Sequence, residues 1–143
     1  MQDKWDYINQ LDDELLRGGV IISEWTAFLV RDADTAYCSN ANLATILASQ
    51  AAIESHLRFD YFSSENTSGW TFYKLIENSD LSTSLKEELN TLRKLRNKWV
   101  HIHDPQNDND LITRPEYHEN ELQIFAKTAL KIMRQVLYNN PFV

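Results

Sequence analysis

Arg96-Asn97-Lys98-Trp99-Val100-His101, with His103 two residues on, puts a guanidinium, an amide and imidazoles on one short stretch. A guanidinium offers a planar fork of donors to an oxyanion, and an imidazole exchanges protons near neutral pH. Together they can hold an anion and move a proton beside it. The stretch ends a segment in which Leu85, Leu89, Leu92 and Trp99 recur at helical spacing. Arg96 falls on that same apolar stripe, four residues after Leu92 and three before Trp99. Burying an unpaired charge costs several kcal/mol or more, on the order of what a fold can spare, so Arg96 must be paired, snorkel outward or face a polar cleft.

The stretch resembles the motif of the HEPN superfamily, in which an arginine, often followed by a polar residue such as Asn, precedes a histidine by four to six residues. The likeness runs from about Ala41 to Pro105. It takes in an alanine-rich helix with Glu54 and Leu57-Arg58, then Phe72-Tyr73-Lys74-Leu75-Ile76 leading into the motif helix. What the resemblance implies is a small helical bundle and a metal-independent ribonuclease, working without a cofactor, whose two motifs pair across a homodimer. It also implies a defence or toxin setting, with an antitoxin or other regulatory protein as a further partner.

Cleaving RNA without a metal needs a base for the 2′-hydroxyl, a cation for the charge that develops on phosphate, and a proton for the departing 5′-oxygen. By that likeness Arg96 and His101 are the expected catalytic pair, with Asn97 orienting the phosphate or the imidazole. His103, Glu54 and Lys98 are auxiliary candidates. Regular helix geometry creates a tension, because residues five apart diverge by about 140° whereas residues seven apart nearly coincide. On an undistorted helix His103, not His101, would share the face of Arg96. Either the helix loosens near Val100 ahead of Pro105, or His103 participates, or each residue meets partners from a second subunit.

Blander readings stand beside these. His101 can stabilise the carbonyl end of its helix, and Arg93, Lys94 and Lys98 can form a solvated basic face there. Glu54 and Arg58, four apart, suit an ion pair along their helix; the rival is that Glu54 reaches across the bundle to Arg96. His101-x-His103-Asp104 has the spacing of a metal site, but His118 and Glu119 are the only nearby sequence candidates to complete it. Asn107-Asp-Asn-Asp110 lacks the central glycine of a calcium loop.

The remaining residues must position this chemistry. With 143 residues, three glycines and three prolines, the chain is expected to form one all-α domain over 1–143, an antiparallel bundle of five or six helices. Trp5, Ile8, Leu11 and Leu15 predict a helix over 2–17, stopped by Gly18-Gly19. Ile21, Trp25, Phe28 and Leu29 predict a second over 20–37, with Glu24, Arg31, Asp32 and Asp34 on its wet face. Ser39-Asn40 is read as the cap of a central helix from Ala41 to about Phe62. A short helix around 70–76 follows, then the motif helix from Ser79 or Asp80 to Asp104. Leu122, Phe125, Ala129, Ile132, Val136 and Leu137 mark a last helix over 116–139.

A net charge of −7 argues against binding nucleic acid through a broad basic surface, so phosphate contacts are expected only around Arg93, Lys94, Arg96 and Lys98. The single cysteine, Cys38, permits no internal disulfide. No signal-like leader and no apolar run near twenty residues are visible, so the expectation is a cytoplasmic protein with no membrane partner. The alternative functions are a non-catalytic HEPN-like module binding RNA, a nucleotide or a partner protein, and a plain helical dimerisation domain.

Overall fold

A computed structural model of the chain describes residues 2–100 and 114–139. It is all-helical: α1 Gln2–Leu15, α2 Glu24–Cys38, α3 Asn42–Ser55, α4 Phe72–Asn78, α5 Thr83–Val100 and α6 Pro115–Leu137. A π-helical turn, His56–Tyr61, continues α3. The central helix is α3, packed most extensively against α2 and α6. Ile46, Ile53, Leu57, Leu75, Leu89, Leu92, Leu130 and Met133 are fully buried in the one core cluster that these helices share. Among the described residues no helix is long and apolar enough to cross a membrane.

Local chemistry accounts for most helix ends. The Ser23 hydroxyl accepts from the Thr26 amide and so starts α2 at Glu24, four residues later than the apolar pattern suggests. The Thr71 hydroxyl does the same for α4 through the Lys74 amide, and Pro115 occupies the first turn of α6. Ser39-Asn40 belongs to the end of α2, not to the start of α3. The Ser39 amide returns to Thr35 and Ala36, and Asn40 adopts φ 63°, a left-handed conformation that asparagine tolerates. Ala41 stands at the head of α3 with no side-chain cap.

The second helix is turned around relative to its apolar pattern. Its buried residues are Thr26, Ala33, Tyr37 and Cys38, while Trp25 and Phe28 are 73% and 56% exposed and Ile21, ahead of the helix, is also exposed. The face with small side chains lies against α3, which turns Thr45, Ser49 and Ala52 inward. Small side chains on both partners let the backbones approach, and large aromatics would hold them apart.

Asp34, assigned by its sequence neighbours to the wet face, is instead an anchor. Arg134 on α6, 3% exposed, donates from Nε to Asp12 at 2.8 Å and from both terminal nitrogens to Asp34 at 3.0 and 2.7 Å. The Tyr138 hydroxyl donates to the same Asp12 oxygen at 2.7 Å. Burial opposes the Arg134 charge, but the hydrogen bonds and charge of the two carboxylates outweigh it and raise the guanidinium further above its ordinary pKa. One side chain thus ties α1 and α2 to α6. Arg134→Ala strands these carboxylates, and we expect it to lower the unfolding free energy by about 3–5 kcal/mol, measured by urea denaturation.

Candidate functional site

Arg96 opens into a cleft of about 540 Å³ between α2, α3, the π turn and α5. Gln50, Glu54, Arg58, Trp25 and Phe59 line it with Arg96 and Val100. The core stripe of α5 runs Leu85, Leu89, Leu92 and Leu95, all buried. Leu95 takes the inward position the sequence stripe assigned to Arg96, and Trp99 is only half-buried against the core. Arg96 stands one residue around the helix, half-buried, on the wall of the cleft.

Two guanidiniums of the described residues line this cleft, and they are used differently. Arg58 donates to the carbonyl oxygens of Thr67 and Trp70, the latter at 3.0 Å, and to Glu54 at 3.2 Å. Its donors pin the 63–71 segment to α3. Glu54 therefore makes the ion pair along its own helix; its reach toward Arg96 goes no further than sharing the cleft. Arg96 has no ion pair or hydrogen bond among the described residues. Gln50 is also incompletely used: its Nε2 donates to the Leu92 carbonyl, whereas its buried Oε1 has no partner. The cleft is thus bordered by an uncommitted cation, Arg96, and by Gln50, whose buried acceptor lacks a partner at a cost in stability.

The π turn gives the cleft its shape. Its i→i−5 bond, Phe62 amide to Leu57 carbonyl at 2.9 Å, inserts an extra residue per turn and swings Arg58 and Phe59 away from where a continuous helix to Phe62 would carry them. Asp60 holds it in place, accepting from the Ser23 amide at 3.3 Å and the Thr26 hydroxyl at 3.4 Å, with His56 Nδ1 at 3.2 Å. Thr26 also meets the Ser55 hydroxyl at 3.0 Å. These bonds join the start of α2, and with it Trp25, to the same turn that carries Phe59.

The basic run disperses in three dimensions. Lys98 pairs with Glu121 on α6 at 3.5 Å, Arg93 lies over the Tyr73 ring at 5.2 Å and bonds Asn90, and Lys94 is exposed. Lys98 is therefore no part of the cleft, and Asn97, though half-buried, does not line it either. His101, His103 and Asp104 lie outside the described residues, so the choice between the histidines and the end of the motif helix do too. Among the described residues no three His, Cys, Asp or Glu side chains are grouped to hold a metal ion. His118 is buried with its ring edge-on to Trp99, and Glu119 accepts from Asn42 at 3.0 Å.

Sequence reasoning missed Gln50, Trp25 and Phe59 as site residues. Gln50 had a visible signal, an amide within an alanine-rich helix one turn before Glu54, on the same face. Trp25 looked like an ordinary core residue of its helix, and Phe59 carried no signal of its own.

Two outcomes follow. Arg58→Ala should cost about 2 kcal/mol or more, since charge-assisted bonds to two carbonyls are lost, while Arg96→Ala should stay within about 1 kcal/mol of the parent in thermal and urea unfolding. Burial holds the His56 imidazole below its ordinary pKa, with Asp60 opposing. The unfolded chain then takes up a proton below about pH 6.5 that the fold resists. The His56 contribution is therefore complete above that pH and is lost as pH falls through the lowered folded value. His56→Gln should flatten the decline of unfolding free energy between pH 7 and pH 5.

Compared with models of protein families, with curated proteins and with solved structures, the chain matches none.

Proposed function

We propose that this chain is a HEPN-like, metal-independent endoribonuclease that acts as a homodimer, with Arg96 as its phosphate-binding cation. The observation that carries the reading is the uncommitted Arg96 guanidinium on the wall of an open cleft, beside an Arg58 whose terminal nitrogens hold the fold. A structural arginine would have partners, as Arg58 and Arg134 do. A phosphate-binding one keeps its fork of donors for the substrate.

In this mechanism the substrate's own 2′-hydroxyl attacks phosphorus, the 5′-oxygen leaves, and Arg96 stabilises the charge on the non-bridging oxygens. His101 exchanges the protons, with His103 as the lesser candidate, and Asn97 steadies the imidazole or the phosphate. DNA, without the hydroxyl, is inert. The homodimer is supported by exposed apolar side chains that this mechanism does not use, Phe28 on α2 and Val100 on α5, which a second copy would cover. A defence or toxin role, held in check by an antitoxin or other regulatory protein, belongs to the same reading. The dispersal of Arg93, Lys94 and Lys98 favours a second reading, a non-catalytic module that binds RNA, a nucleotide or a protein through the same cleft.

Cleavage of single-stranded RNA should persist in EDTA, yield a 2′,3′-cyclic phosphate or its hydrolysed product, and fall at least about a hundredfold in Arg96→Ala and His101→Ala but less in His103→Ala. Activity abolished by chelation and restored by a divalent ion contradicts the mechanism. No cleavage by a folded parent protein selects the binding module. Light scattering should give the mass of a dimer at micromolar concentration; a monomer counts against the composite site.

A further inference from the structure

The cleft beside Arg96 holds more than a phosphate site needs. Gln50 and Glu54 lie four residues apart on one face of α3 and both line it. Gln50 is 2% exposed, and because its Nε2 is spent on the Leu92 carbonyl, the atom it leaves over is an acceptor. Glu54 gives one carboxylate oxygen to Arg58 and has the other to offer. Above them stand two half- to mostly exposed aromatic rings, Trp25 and Phe59, at 73% and 56% exposure. Leu29, Leu47 and Ala51 complete apolar walls.

We infer that this cleft is a subsite for one unstacked guanine of single-stranded RNA. A ring stacked on Trp25 or Phe59 replaces water on an apolar surface, the usual means by which proteins hold single-stranded bases. Its identity is set by the hydrogen-bonding edge. The Watson–Crick edge of guanine carries neighbouring N1–H and N2–H donors, matching two acceptors on one helix face. Adenine and cytosine present one exocyclic donor beside a ring acceptor, and uracil a single N–H between two carbonyls, so each would set acceptor against acceptor. The cavity, about 540 Å³, has the size of a small-ligand site, and Arg96 at its edge is placed for the adjoining phosphate. The polymer in this proposal rests on the ribonuclease reading; the base rests on the cleft alone.

The test uses the full chain and an uncleavable hexamer of 2′-O-methyl uridine, alongside three versions carrying one central guanosine, adenosine or cytidine, followed by fluorescence anisotropy. The guanosine hexamer should bind at least about tenfold tighter than the others, within the range a good bidentate base contact gives. Trp25→Ala, at a solvent-exposed position, should weaken it about fivefold or more. Glu54→Gln keeps an oxygen for Arg58 but presents a donor to the base, and should erase the preference for guanosine. Equal affinity for the four hexamers, or a preference untouched by both variants, overturns the guanine subsite. So does a Trp25→Ala variant that turns a dimer into monomers with unchanged affinity per chain, since a second copy would then be the occupant. RNA cleavage without base preference sinks this subsite and leaves the ribonuclease standing. Guanosine-selective binding without cleavage does the reverse.

Discussion

The closeness of α2 to α3 is the constraint from which the rest follows. Thr26 and Ala33 on α2 and Thr45, Ser49 and Ala52 on α3 are small buried side chains, whereas Trp25 and Phe28 are exposed. Helices with small facing residues approach tightly, which leaves Trp25 and Phe28 no place inside. They are displaced to the outer face, where Trp25 becomes a wall of the cleft. Had α2 turned its aromatics inward, the helices would stand further apart. The Thr26–Ser55 contact at 3.0 Å could not form, and Asp60 would lose its bonds from the start of α2.

The same region holds the π turn that ends α3. Asp60 is held by α2, and Arg58 by two carbonyls of the 63–71 segment, so both side chains are fixed from outside their own helix. The backbone between them absorbs one extra residue, and Phe59 is left facing the cleft. On α6, Arg134 fixes that helix to α1 and α2 through two carboxylates. Polar bonds therefore tie the helices together at both places, while the apolar cluster supplies the bulk of the burial.

Helix number and order were legible in the sequence because a 3.6-residue period survives in α1, α5 and α6. The facing of α2 was not. Its aromatics recur at helical spacing just as core residues do, and only the partner helix reveals that small side chains win. Asp34 was misplaced for a related reason: its partner, Arg134, lies 100 residues away, and no local pattern announces it. Arg96 was the clearest signal, since a charge on an apolar stripe demanded an explanation. The stripe itself was read one position off, because Leu95 and not Arg96 faces the core. Glu54 had the pair with Arg58 as its default reading and Arg96 as the rival, and the geometry of Arg58 selected the local pair. Gln50 needed the fold to matter, because an orphaned acceptor is visible only once its donor has been assigned.

The most direct test of the central claim is side-chain NMR of the arginine Nε–H groups, with Arg96 assigned by the loss of its signal in Arg96→Lys. The ligand is a fully 2′-O-methylated single-stranded RNA, which lacks the attacking hydroxyl at every linkage. The uncommitted guanidinium predicts that the Arg96 resonance shifts on binding and sharpens as its exchange with water slows, while the resonance of Arg134, whose Nε–H already donates to Asp12, stays in place. Binding that moves Arg93 or Arg31 and leaves Arg96 unchanged would contradict it.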